Sequence, residues 1–449
     1  MIPTQQVQHS VHGEKGEFVD WRVSEYSGLP YHHGPGDREV AQVLAGSRER
    51  KHVGDHILAR VFGVQPAQLS IAADPDCDGR GPFRQASNHL RKRCRANEHS
   101  AHERRRHRRA DRFDHFNRQA GVFRHQHQVN PLESLPVRIL VTGGAGFIGS
   151  HVVDAYIAAG HQVAVLDNFS TGKEANLNPQ AEAHRVDLRD QPSVEKVIAS
   201  FRPEIVNHHA AQSEVPKSVA DPAFDAQVNI VGGLNLLKAC VDHAVKKVIF
   251  ISTGGALYGD PDVVPADEDH PIRPLSPYGT SKFCFEQYLG TFKRTFGLEF
   301  TVLRYANIYG ARQDFYAEEG RVVAIFASRM LERKAVTIDG DGEQARDMLH
   351  VGDAATANLA ALERGAGSIY HVSTGIPVTI NDLYRKLAIL TDYTQFPTHG
   401  PRRKGDVYRI ALDNSRAQRQ LDWEPRVNLE EGLSLTVDYF REQVSKAPA

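Results

Sequence analysis

The run VRILVTGGAGFIGSHVV, residues 137–153, constrains the fold more than any other stretch of the chain. VRILVTG is a short apolar run of buried-strand type, and Phe147, Ile148, Val152, Val153 and Ile157 follow at helical spacing. Between them stand Gly143, Gly146 and Gly149, in the pattern GxxGxxG. Each glycine removes a Cβ where the backbone turns tightly, where a pyrophosphate approaches the amides, or where helix packs on strand. The helix N-terminus adds free N–H groups and a positive dipole end. Gly160 suits the helix C-terminal cap. A glycine triplet alone also fits a structural turn, so the acidic partner matters. Asp167 closes the second apolar run, HQVAVLD, 18 residues after Gly149, near the offset of about 20 at which a carboxylate meets ribose hydroxyls. A carboxylate there repels a 2′-phosphate, which favours NAD over NADP.

Further strand-like runs end near Asp187, at EIVNHHA (204–210), at KVIFIST (247–253) and at EFTVLRY (299–305), with helical stretches at 224–243 and 276–296. Strands alternating with helices predict an α/β fold, a Rossmann-type doubly wound parallel sheet with right-handed crossovers. After Tyr305 the alternation loosens, which predicts a smaller C-terminal substrate-binding domain. The expected division is a NAD-binding domain over 137–305, to which 346–367 return, and a substrate portion over 306–345 and 368–449.

SPYGTSK places Tyr278 and Lys282 four residues apart on one helical face. A free phenol, with a pKa of about 10, is a poor base at neutral pH. A neighbouring ammonium and a cationic nicotinamide ring both favour the phenolate. Lowering it by about three units takes about 4 kcal/mol of differential stabilisation, within reach of two cations in a partly desolvated cleft. Chance also yields YxxxK, with Tyr covering apolar surface and Lys solvated. Position argues otherwise, because the pair follows a strand ending in Ser252 and Thr253, downstream of the dinucleotide turn. A hydroxyl, a phenol and an ammonium make an acid–base set.

With TGGAGFIGSH (142–151), LDN (166–168), DLRD (187–190), HHAAQ (208–212), ISTGGALYGD (251–260), SPYGTSK (276–282), RYANIYG (304–310), RDMLHV (346–351) and RRKGD (402–406) in this order, the chain from about 137 to 445 resembles the extended short-chain dehydrogenase/reductase superfamily. Within it, the resemblance is to the NAD-dependent nucleotide-sugar epimerase/dehydratase family. The resemblance implies that Gly143, Gly146, Phe147, Ile148 and Gly149 cradle the pyrophosphate and that Asp167 and Asn168 hold the adenosine ribose. It further implies that Asp187 and Leu188 flank the adenine, that Ala210, Ala211 and Gln212 line the cofactor's middle, and that Tyr278 and Lys282 hold the nicotinamide ribose. Asn307, Arg346, Arg403 and Asp406 match positions that grip a uridine diphosphate; arginine offers phosphate a bidentate fork. A salt bridge of Arg346 with Asp347, and a solvated Arg403 between Arg402 and Lys404, are the plain alternatives.

The implied activity is NAD-dependent 4-epimerisation of a UDP-hexose, UDP-glucose or UDP-galactose, through a 4-keto intermediate, with Tyr278 as base. In many members the catalytic hydroxyl falls where this chain has Gly254; Thr253 is the expected replacement and Ser252 the alternative. The related 4,6-dehydratases and uronate decarboxylases need a carboxylate just after that hydroxyl, and Gly254 and Gly255 cannot exchange a proton. N-acetylated or uronic UDP-sugars remain as substrates, and Ile410, in the part of the pocket that faces the sugar 2-substituent, does not choose among them. A non-catalytic NAD-binding regulator is the reading from another class. The resemblance also implies a homodimer packed through 224–243 and 276–296.

Residues 1–136 differ in kind. They hold 13 of the 23 histidines and 21 Lys+Arg against 16 Asp+Glu, while the rest has 33 against 39. The basic run HERRRHRRADRFDHFNR (102–118) with Phe113 and Phe116 could track a nucleic-acid backbone. Its interrupting acids and lack of periodicity favour a low-order, disordered extension instead. No methionine lies between Met1 and Met330, so the natural start could be Val137 and the extension absent from the native protein. Cys77, Cys94, Cys240 and Cys284 are too scattered for a disulfide framework or a zinc site, and the histidines lack ligand spacing. No bound metal is expected. A reducing cytoplasm fits, and no apolar stretch reaches membrane-spanning length.

Overall fold

In the computed structural model, the structure describes residues 136–314, 322–402 and 407–446. The extension at 1–135 and the site candidates Arg403 and Asp406 lie outside the described residues. Seven strands form the main sheet: β1 (Arg138–Thr142), β2 (Gln162–Asp167), β3 (Glu182–Arg185), β4 (Ile205–His208), β5 (Lys247–Thr253), β6 (Glu299–Tyr305) and β10 (Ser368–Val372). Their order is β10-β6-β5-β4-β1-β2-β3, and all neighbours pair in parallel.

Successive residues of each central strand face opposite sides of the sheet, and both sides are covered. Ile139, Val141, Val165 and Ile249 join one apolar layer with helices Phe147–Ala158 and Val351–Glu363. Leu140, Leu166, Val248 and Phe250 join the other, with helices Gln191–Phe201, Gly233–Asp242 and Pro277–Phe296. Burial on both faces is why these strands read as continuous apolar runs rather than alternating ones. The order reverses between β1 and β4, which opens a crevice at their C-terminal ends, where such sheets bind ligands.

Helix Pro277–Phe296 begins as its sequence dictates. Ser276 caps it, its Oγ accepting from the Gly279 amide at 3.2 Å, and Pro277 takes the first turn. Gly297, at φ +73°, ends it in the left-handed region. The predicted helix over 224–243 contains a widened turn, a π-helical segment at Gln227–Gly232 that continues into Gly233–Asp242.

β7 (Asn307–Tyr309), β9 (Ala345–His350) and β11 (Pro377–Thr379) form a three-stranded sheet, and β8 (Thr337–Asp339) pairs with β12 (Thr398–Gly400). Helices Val322–Leu331, Ile380–Thr391 and Leu429–Lys446 enclose a separate core that includes Phe326, Leu383, Leu387, Leu433 and Phe440. One boundary shifts from the sequence analysis. Residues 368–372, assigned there to the substrate portion, are β10 and pair with β6 from Ser368↔Thr301 to Val372↔Tyr305. Helix Ser415–Leu421 joins the same side of the sheet through Ala417 and Leu421. Tyr370, His371 and Val372 are buried by this pairing, which covers an edge of β6 that would otherwise stay open. Among the described residues no helix is long and apolar enough to cross a membrane.

Candidate active site

At the crevice, the glycine turn and the end of β4 lie against each other. Gly143 has φ +70°, and a Cβ on it would lie 2.7 Å from the Ala210 backbone nitrogen. A Cβ on Gly149 would lie 2.2 Å from the Gly143 carbonyl oxygen, so only glycine lets helix Phe147–Ala158 start this close to the turn. That helix has neither a side-chain cap nor an acidic residue in its first turn, as an anion-receiving end requires. Ala210 is tied to β1 by its amide, which donates to Thr142 Oγ1 at 3.2 Å.

The Asp167 carboxylate ends β2 and accepts the Ala145 amide at 3.0 Å and the Phe169 amide at 2.8 Å. It therefore fixes the glycine turn, while each oxygen keeps a second lone pair for a ribose hydroxyl. Asn168 Nδ2 donates to Asp187 Oδ2 at 3.0 Å, bringing two candidate residues together. The Arg189 fork, at 2.9 and 2.8 Å, holds the Asp187 carboxyl well below the usual range. Leu188 is buried beside Gly232. Gln212 is buried with its side chain fully engaged: Nε2 donates to Glu214 O and Asp225 Oδ1, and Oε1 accepts the Glu214 amide at 2.7 Å. Asn229, from the widened turn, accepts the Gln212 amide at 2.9 Å and donates to Asp225 and to Ser281 Oγ. No sequence signal marked Asn229 or Asp225.

At the other end of the crevice, Tyr278 and Lys282 converge on the tip of β5. The Thr253 hydroxyl lies near the Tyr278 phenol and opposes the rise of its pKa, and Lys282 Nζ donates to Ile251 O at 2.8 Å while lying 4.7 Å over the Phe250 ring. Ser252 faces away: its hydroxyl donates to Glu286 Oε1 at 2.5 Å in the interior. The structure thus separates the two candidate hydroxyls, bringing Thr253 to the phenol and Ser252 to a buried carboxylate. Burial pushes the Tyr278 phenol up to about 12, opposed by the nearby Thr253 hydroxyl. Burial likewise pushes the Lys282 ammonium down to about 8, opposed by Asp225 and Glu286.

The two positions after Thr253 are glycines and carry no acid–base group. A Cβ on Gly254 would lie 2.2 Å from Leu412 Cδ1, whereas one on Gly255 would stand 3.4 Å from Asn307 Oδ1 and 4.0 Å from Thr253 Oγ1. Asn307 therefore adjoins the hydroxyl end of the site from β7. Arg346 lies on β9 and donates to Ala345 O at 2.9 Å and Tyr408 O at 3.4 Å. The neighbouring Asp347 is buried, and its carboxylate accepts from Thr374, Gly375 and Leu412. Ile410 is buried with Leu257, Tyr258 and Ala306.

A parallel sheet with a glycine turn at its switch point, a strand-end Asp and a Thr–Tyr–Lys set defines a nucleotide-cofactor enzyme of the short-chain dehydrogenase/reductase type. The chain belongs to the NAD dependent epimerase/dehydratase family, whose model matches residues 139–373. A putative UDP-glucose 4-epimerase of Methanocaldococcus jannaschii is 42% identical over 304 residues, 68% of this chain and 98% of that one. The crystal structure of UDP-glucose 4-epimerase with UDP-glucose from Thermotoga maritima is similar at 50% identity and a TM-score of 0.67, covering 68% of this chain and 99% of that one. The Thermus thermophilus UDP-glucose 4-epimerase in complex with NAD gives 45% identity and a TM-score of 0.65, over 68% and 99%.

Proposed function

We propose that this chain is an NAD-dependent UDP-hexose 4-epimerase that interconverts UDP-glucose and UDP-galactose. The observation that carries the reading is the Thr253–Tyr278–Lys282 set with Gly254 and Gly255 at the two positions that follow Thr253, neither of which can exchange a proton. The names of the similar proteins point the same way.

NAD, when bound, supplies reversible hydride acceptance at the sugar C4. Tyr278 takes the proton of the 4-hydroxyl as C4 is oxidised to a ketone, and Thr253 orients that oxygen. The keto sugar presents its other face, C4 is reduced, and Tyr278 returns the proton. Lys282, one turn further along the same helix, would favour the phenolate against the burial that raises the phenol to about 12. Gly143, Gly146, Phe147, Ile148 and Gly149 take the pyrophosphate; Asp167 and Asn168 take the ribose. Asp187 and Leu188 flank the adenine, and Ala210, Ala211 and Gln212 line the middle. Asn307 and Arg346, with Arg403 and Asp406, hold the sugar nucleotide by its diphosphate and uridine, which leaves the hexose free to turn.

The reading includes a cytoplasmic homodimer joined through 224–243 and 276–296, where Val231 is 50% and Tyr288 is 36% exposed. Light scattering on the purified chain tests the association. The function is tested by incubating the full chain with UDP-glucose, UDP-galactose and their N-acetylated and uronic analogues, and resolving the 4-epimers. Interconversion of the first two supports it. Bound NAD without any turnover, or release of a 4-keto-6-deoxy sugar, overturns it.

A further inference from the structure

Three consecutive residues at the tip of β5 are fastened to one stripe of helix Pro277–Phe296. Ile251 O accepts from Lys282, Ser252 Oγ donates to Glu286, and the Thr253 hydroxyl stands near the Tyr278 phenol. Tyr278, Lys282 and Glu286 are successive i, i+4 positions, so their side chains stand in one row. Glu286 is the member of this row that the acid–base set does not use.

Its carboxylate is wholly buried, and so is the guanidinium that faces it from β6. Arg304 Nε donates to Glu286 Oε1 at 3.0 Å and Nη2 to Oε2 at 2.6 Å, with side-chain exposures of 2% and 0%. Beyond Arg304 the hydrogen bonds run in one direction. Arg304 Nη1 donates to the Tyr258 oxygen at 2.6 Å and to Glu268 O at 3.2 Å. His371, pushed down to about 3 by burial, is neutral. Its Nδ1 donates to Asp413 O at 3.1 Å, so its Nε2 accepts the Tyr258 hydroxyl proton at 2.6 Å. Each polar group here has one available orientation, which fixes where the Glu286 oxygens stand.

A buried ion pair is weak grounds for stability, since apolar residues of similar volume often do as well. Its place in the row supplies another reason. We propose that Glu286 is a positioning residue of the epimerase reaction: it fixes Ser252 so that Thr253 meets Tyr278, and it is a resident counter-charge for Lys282. The inference rests on the function proposed above. Lys282 is also faced by Asp225 from helix Pro222–Ala226 and by His208 and His209 at the end of β4, both of which burial keeps neutral. Asp225 and Glu286 are thus the two carboxylates that favour its charged form.

The test uses the full chain carrying ε-13C-lysine, with Glu286→Gln, Glu286→Asp and the apolar double variant Glu286→Leu/Arg304→Met. The double variant keeps the test open if an unpaired Arg304 prevents Glu286→Gln from folding. In Glu286→Gln and in the double variant, kcat falls roughly 10- to 100-fold at near-constant KM. In Glu286→Gln the Lys282 titration midpoint and the alkaline limb of kcat move to lower pH, because the ammonium has lost a neighbouring anion, whereas in the double variant the anion leaves together with the Arg304 cation and kcat is the readout. Glu286→Asp keeps the charge, so the midpoint stays while kcat falls. A folded double variant with wild-type kcat, or a folded Glu286→Gln with an unmoved Lys282 midpoint, overturns the proposal. The midpoint is read without nucleotide sugar, so a wild-type chain that epimerises nothing would fail the proposed function, while the midpoint would still decide the role of Glu286.

Discussion

The two ends of the crevice are built by different means. At the glycine turn the working groups are backbone amides, and the sequence requirement is the absence of side chains: Gly143 and Gly149 admit no Cβ without striking backbone atoms. At the Tyr278 end the working groups are side chains, set in place by partners that converge from β5, β6 and helix Pro277–Phe296. The first end is specified by adjacent residues and fails on adding one carbon. The second is specified by distant residues and fails by degrees.

The largest expected break in this contrast is Tyr278→Phe. Removing the phenol oxygen deletes the proton-transfer group but leaves the apolar ring, so kcat should drop about 10³-fold, within the range for general acid–base catalysis, with bound cofactor retained. Epimer formation together with nucleotide content measures it, and retained turnover would remove Tyr278 from the chemistry. Gly149→Ala tests the other end. Its Cβ meets the Gly143 carbonyl at 2.2 Å, so the purified protein should carry less than about a tenth of the wild-type NAD, as read by releasing and quantifying the nucleotide.

Thr253→Ala and Ser252→Ala sharpen the comparison within the chemistry end. Thr253→Ala should lower kcat about 10- to 100-fold with little change in melting temperature. Ser252→Ala takes a donor from the buried Glu286 and should lower stability by about 1–3 kcal/mol, seen in thermal denaturation. A Ser252→Ala chain with an unchanged melting temperature would erase the division between them. The smallest effect is on pH dependence. Lys282 has its folded-state pKa lowered from 10.5 to about 8, so the unfolded chain binds more protons between these values and folding stability rises with pH across that window. Wild type should gain on Lys282→Met by up to about 3 kcal/mol between pH 8 and 10.5. Lys247, shifted in the same direction, is common to both proteins and cancels. Parallel stability curves would show that Lys282 is not held by burial.

The same contrast governs what the sequence discloses. Gly143, Gly149 and Asp167 stand out because turn, helix and carboxylate lie within 30 residues and each requirement is local. The choice between Ser252 and Thr253 could not be made locally. Adjacent strand residues face opposite ways, and what distinguishes them is Glu286, 34 positions away. Arg346 and Asp347 looked like a pair for the same local reason, yet alternation along β9 sends Asp347 inward to Thr374, Gly375 and Leu412. The widened turn at Gln227–Gly232 was invisible because one extra residue in a helical turn barely alters the spacing of apolar positions. β10 was missed as a sheet strand because SIYHV follows a stretch where the strand–helix alternation has already loosened; its neighbour β6 lies some 60 residues earlier.

The glycine pair after Thr253 has a consequence for how this chain could acquire new chemistry. The two positions are unequal: a side chain at 254 must first displace Leu412, itself 1% exposed, while one at 255 has ordinary contact distance to Asn307. An acid that protonates or deprotonates a second sugar carbon is therefore one substitution away at 255 and at least two away at 254. Laboratory evolution toward elimination chemistry should find position 255 first, and reach 254 only in lineages where Leu412 has already become smaller.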